Sequence, residues 1–237
     1  MGVQCSRDKE SETIFGVPYY EHLCTEMEKR LILPTISLKE IVHQIKVIEE
    51  IQGPFDSHNI IQMYEDHGIP RESFLAPNSI YQELLPDYED CDMCGHYLLS
   101  TALPFSEGTL AEKKDALWWV LQPQEGTASR KTLDNIVKMI IALSIKTIPD
   151  LVAKDFENKR KLIEDINMLL LVQSDDTKVE EYANKFYLKK LEERREQDKE
   201  VLTRYEYDVW MLKIDGEKLL SSKGNRELFL KYLKNKS

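Results

Sequence analysis

Apolar residues recur along this chain at intervals of three and four, the spacing of one face of an α-helix. The period-two alternation of a half-buried strand is not sustained anywhere. The pattern predicts a first helix over residues 18–31. Ser37 then caps a second, in which Leu38, Ile41, Val42, Ile45 and Ile48 share a face and Gly53-Pro54 ends the run. A third helix spans residues 56–67 with Ile60, Ile61 and Tyr64 inward, closed by Gly68. Pro77 opens a short fourth helix through Leu85. Residues 87–95 read as an acidic loop, and residues 98–105 as a helical stretch that stops at Pro104.

The second half repeats the theme. Leu110, Leu117, Trp118 and Leu121 form one stripe, and Leu133, Ile136, Val137 and Ile140 the next. Pro149 is expected to start another helix that carries Phe156, Ile163, Ile166 and Leu170. Ser174, Asp175 and Asp176 break the chain and cap the helix after them. From Thr177 a long charged helix buries Val179, Tyr182, Ala183 and Phe186. Residues 189–200 hold one apolar side chain, Leu191, which predicts a solvated face laced by i,i+4 ion pairs. The alternative is a projecting helix that docks on a filament or coiled coil. Two more helical segments lie around residues 205–213 and 225–233. The predicted fold is all-α.

Composition narrows the function. A net charge of −10 argues against nucleic-acid binding, which needs a basic face. No apolar run approaches the ~18 residues of a membrane span, and no secretory signal opens the chain. The four cysteines, Cys5, Cys24, Cys91 and Cys94, form no disulfide-rich pattern, so free thiols in a reducing compartment are expected. The opening Met-Gly-Val-Gln-Cys-Ser fits an N-myristoylation signal on Gly2, with Cys5 placed for a second, palmitoyl anchor. One myristoyl chain alone holds a membrane weakly, with an association constant of about 10⁴ M⁻¹, so the second signal matters.

Residues 108–140 carry the most specific pattern. Two apolar-periodic helices flank a short loop with one central glycine, Gly126. A calcium loop needs oxygen ligands at positions 1, 3, 5 and 12, with glycine at 6. With Gly126 at position 6, Leu121 falls at 1, Pro123 at 3, Glu125 at 5 and Thr132 at 12, while Ala128 takes the apolar position 8. The segments Thr101-Ala102-Leu103, Gly108-Thr109 and Glu112-Lys113 complete a stretch of about forty residues. This stretch resembles the junction between the second and third EF-hands of the calcineurin-B and neuronal-calcium-sensor superfamily. The stretch over residues 188–212, which opens Leu188-Lys189-Lys190, is similar to the last hand of calaxin-like proteins of ciliary dynein docking complexes.

The resemblance implies paired helix–loop–helix units. It places an N-terminal arm over residues 1–15, one lobe over 16–106, a second over 107–220 and a C-terminal helix over 221–237. A second loop would cover residues 86–97, with Asp90 at position 5 but Pro86, Cys91 and Tyr97 at 1, 6 and 12. A last loop would cover residues 195–206, with Leu202 at 8 and Glu206 at 12, but Arg195, Gln197 and Lys199 at 1, 3 and 5. A first hand is sought near residues 60–74. Too few carboxylates remain to bind calcium, and no cofactor is expected. The implied function is that of a non-catalytic adaptor or structural subunit. It would hold a helical protein segment or a multi-subunit assembly, ciliary or axonemal or at a membrane through its acylated arm, and no nucleic acid. Trp119 and Trp210 are the expected contact residues, while Trp118 lies on the buried stripe.

Two other readings remain open. One is a calcium-responsive regulatory subunit of a phosphatase, kinase or dynein complex. The other is a zinc or redox protein that uses Cys91, Cys94 and His96. No nucleophile-with-base, phosphate-loop or dinucleotide motif is present, so an enzyme is not predicted.

Overall fold

The computed structural model describes residues 13–14, 17–77, 79–85, 94–121, 126–155, 176–189 and 201–234. The described fold is mostly helical, as the periodicity predicts. The first half holds α1 (Tyr19–Lys29), α2 (Leu38–Ile51), α3 (Ser57–Asp66), α4 (Arg71–Leu75), α5 (Ile80–Leu84) and α6 (Cys94–Ala102). After these come α7 (Leu110–Leu121), α8 (Arg130–Ala142), α9 (Ile148–Asp155) and α10 (Asp176–Ala183). The chain closes with α11 (Arg204–Lys213), α12 (Gly216–Leu219) and α13 (Ser222–Lys234).

Strands were not expected, yet two short antiparallel pairs are present. Thr13–Ile14 (β1) pairs with Val17–Pro18 (β2), and Thr127–Ser129 (β3) pairs with Val201–Thr203 (β4). Strands of two or three residues are too short to show alternation, and the partner of β3 lies 74 positions along the chain (Ala128 to Leu202).

Helix starts follow the chemistry of the caps. The Ser37 hydroxyl accepts the Glu40 amide at 3.2 Å, and Asp56 and Asn59 exchange side-chain and backbone hydrogen bonds at the start of α3. Some boundaries differ from the periodic reading. The fourth predicted helix starts at Ile80 rather than Pro77, because Ser79 supplies the cap. The helix expected from residue 98 already begins at Cys94, inside the expected loop. There Gly95 allows α6 to lie against α2: a Cβ at this position would come within 2.6 Å of Ile45 Cγ2.

Pro149 does not start a helix. The helical path runs on from Arg130 through a π-helical turn, Leu143–Thr147, into α9. In this turn the Ile148 amide donates to the Leu143 carbonyl, five residues back, which widens the helix just ahead of the proline ring. Continuing that register would pair the Ser144 carbonyl with residue 149, and proline has no N–H to give. Arg226 from α13 fills the gap, its Nη1 lying 3.4 Å from the Ser144 oxygen.

Arg226 also joins the two ends of the chain. Its guanidinium is fully buried and grips the equally buried Glu21 of α1 through two hydrogen bonds, Nε to Oε2 at 2.8 Å and Nη2 to Oε1 at 2.6 Å. Nη1 donates to Glu28 at 2.6 Å and to Ser222 at 2.7 Å. Burial opposes the positive charge, but the hydrogen bonds of Glu21 and the charge of Glu28 outweigh it and hold the group ionised. Around this lock lies one continuous apolar core. Tyr64, Phe74 and Tyr81 cluster in its first half, and Tyr182, Phe229 and Tyr232 in its second.

Candidate partner-binding cleft and its flanking loops

Among the described residues a short local pattern occurs three times, each time at the junction of a loop and a helix. A buried apolar residue in extended backbone precedes a Ser or Thr, whose oxygen accepts the amide three residues on. The three sets are Ile36, Ser37 and Glu40; Ala128, Ser129 and Thr132; and Leu202, Thr203 and Glu206. The caps measure 3.2, 3.4 and 3.3 Å in that order.

Ala128 and Leu202 lie directly opposite each other in the β3–β4 pair. Gly126, just before β3, has a φ of +78°, a left-handed conformation that costs glycine little. The first of the three junctions was not legible as one. The segment that carries it runs from α1 through a 3₁₀ turn, Leu33–Thr35, into α2, outside the residues 60–74 near which the resemblance places a first hand. The cap-plus-three pattern shared with residues 128–132 and 202–206 was the available signal.

Glu206, expected at position 12 of a last loop, turns back on its own helix. Its Oε2 accepts the Thr203 amide at 2.8 Å and the Thr203 hydroxyl at 2.9 Å. Asp90 and Glu125 lie outside the described residues. Among those described, no group of three His, Cys, Asp or Glu side chains is placed to hold a metal ion.

Between α2 and α7 lies an open cleft of about 510 Å³. Leu38 and Val42 of α2 and Ala116 and Trp119 of α7 supply its apolar surface, and Lys39, His43, Lys46, Glu112 and Asp115 its edges. Trp119 is half-buried. Its ring packs edge-on against His96, with centroids 4.7 Å apart, and Lys46 Nζ stands 5.6 Å from its centre. The same burial lowers the His96 pKa below its usual 6.5.

The residues of the Gly108–Lys113 signature divide between the cleft and the core behind it. Thr109 and Glu112 cap α7 reciprocally, at 2.8 and 3.3 Å, while Glu112 also receives Lys39 across the cleft at 2.6 Å. Those hydrogen bonds, Lys39 first and then the Thr109 amide, bring the Glu112 carboxyl down to about 2. Lys113 points the other way and donates to the Leu220 carbonyl at 2.9 Å, and burial brings its amine down to about 8.

Comparison with family models, curated proteins and solved structures finds no match. The remaining expected site residues divide plainly. Trp118 is buried beside Tyr207, as its stripe predicts. Trp210, expected at an interface, is only 2% exposed, and its indole donates to the Tyr187 carbonyl at 3.0 Å. Its place in α11 gives it a packing role. Cys94 is disulfide-bonded rather than a free thiol, and zinc takes a thiolate, so Cys94 would need reduction before it could ligate. Cys24 is free but buried, which pushes its thiol up to about 12. Gly2, Cys5 and Cys91 lie outside the described residues. No described helix is long and apolar enough to cross a membrane.

Proposed function

We propose that this protein is a non-catalytic EF-hand-like adaptor, and that it holds a helical segment of a partner or larger assembly in the α2–α7 cleft without calcium. The observation that carries this reading is the facing of Ala128 and Leu202. These are the residues expected at position 8 of the loops over 121–132 and 195–206, the second placed by carrying the register of the first forward along the chain. Paired calcium loops join at that position, and the helices they align bury apolar faces whether or not an ion is bound. The capping role of Glu206 supports loops that work as connectors: its carboxylate serves Thr203.

The choice of cleft rests on which faces are already covered. In the second half, α13 packs against the π turn and α8, and its Phe229 and Tyr232 fill the aromatic cluster. The cleft beside Trp119 carries no such helix among the described residues. An acylated arm at Gly2 and Cys5 would add a membrane anchor, and an unmodified, Met-retaining mass of the native protein would end that part of the proposal. Isothermal titration of the purified chain with calcium tests the connector role. No micromolar heat is expected, and a micromolar exothermic site would overturn it in favour of a calcium-responsive subunit.

A further inference from the structure

We infer that the α2–α7 cleft selects an acidic amphipathic helix, whose carboxylates meet the α2 edge while its apolar side chains cover Val42 and Trp119. The inference rests on the adaptor reading and adds the chemistry of the partner. The two carboxylates at the α7 edge are already engaged: Glu112 holds Lys39, and Asp115 holds Arg204. The α2 edge differs. His43 and Lys46 are exposed, lie three residues apart on one helix face, and make no ion pair among the described residues.

Lys46 sits over the face of Trp119, so a carboxylate brought to it would be fixed beside the apolar contact rather than at a remote rim. The floor is apolar and long enough for side chains one helical turn apart, since Leu38 and Val42 are themselves separated by four residues. The chain as a whole carries −10, so its distant field repels an acidic partner. At physiological salt that field is screened beyond about 8 Å, while a contact at Lys46 is not. The preference therefore belongs to the site and persists at physiological ionic strength.

The test uses the full chain and three synthetic peptides of roughly four helical turns, each with Leu at i, i+3, i+4 and i+7. The flanking positions carry Glu, Gln or Lys. Binding is read by anisotropy of the labelled peptide and by Trp fluorescence, where a shift lost in Trp119→Phe locates the peptide. The Glu peptide should bind about tenfold more tightly than the Gln peptide, the ratio that 1.4 kcal/mol gives. Lys46→Glu, a change at an exposed position, should reverse the order of the Glu and Lys peptides. Equal binding of the Glu and Gln peptides would overturn the acidic preference and leave the adaptor reading standing. Binding by none of the three would overturn both. A Trp119-dependent dimer in analytical ultracentrifugation would also overturn the inference, because a second copy would then be the occupant.

Discussion

Replacing Arg226 with alanine tests the lock between the two ends of the chain. The substitution removes five hydrogen bonds at once: two to Glu21, and one each to Glu28, Ser222 and the Ser144 carbonyl. The loss of contacts is the smaller part. Glu21 is 2% exposed and would be left without its partner in a site shielded from water, whereas Glu28, at 14%, can be partly hydrated. Removing one partner of a buried pair costs about 3–5 kcal/mol, mostly through the charge left behind. Against a stability of about 5–15 kcal/mol for a typical protein, that loss is large. Urea unfolding followed by Trp fluorescence measures it. The same argument sets a control. Arg226→Met with Glu21→Met removes both buried charges and should recover much of the loss, since an apolar replacement of a buried ion pair is often neutral or better. A loss below about 1 kcal/mol for Arg226→Ala, or a double variant no more stable than the single, would refute the reasoning.

Three further outcomes are expected. Cys24 should resist alkylation at pH 8.5, where an ordinary thiol near 9.0 reacts, because burial holds its thiol at about 12; peptide mapping should show no label on Cys24 in the native protein and label once urea unfolds it. The His96 pKa is lowered on folding, so its contribution to stability is present above pH 6.5 and lost as the pH falls toward the folded value; His96→Gln should flatten that acid-side slope in urea titrations, and an unchanged slope would count against the buried imidazole. Gly95→Ala drives a Cβ into Ile45 and should cost about 1–3 kcal/mol by thermal or urea unfolding, and Ile45→Leu, which lacks the clashing methyl, should restore part of it.

Local chemistry was the legible part of the fold. Ser37 and Asp56 cap the helices that the apolar spacing placed after them, and Gly126 adopts the left-handed backbone that its loop position implies. Each of these depends on neighbours within a turn, and a sequence displays those directly. The site was legible only by halves. Trp119 stands at a cleft, but whether that cleft is open depends on where α2 lies relative to α7. Trp210 follows the same periodic logic and is buried, its indole bonded to the Tyr187 carbonyl of a π-helical turn, Asn184–Leu188, that lies more than twenty residues earlier.

By itself, then, the amino-acid order determined which stretches are helical, where most of them begin and which faces are apolar, because those depend on i,i+3 and i,i+4 relations. Tertiary structure decided the rest. It carried the helix through Pro149 by opening a π turn and supplying Arg226 to the stranded Ser144 carbonyl. It set Ala128 opposite Leu202 and Glu21 against Arg226, pairs separated by 74 and 205 positions. No local rule reaches that far. Such contacts form only once the packed helices have excluded water, which gives a buried charge its need for a partner.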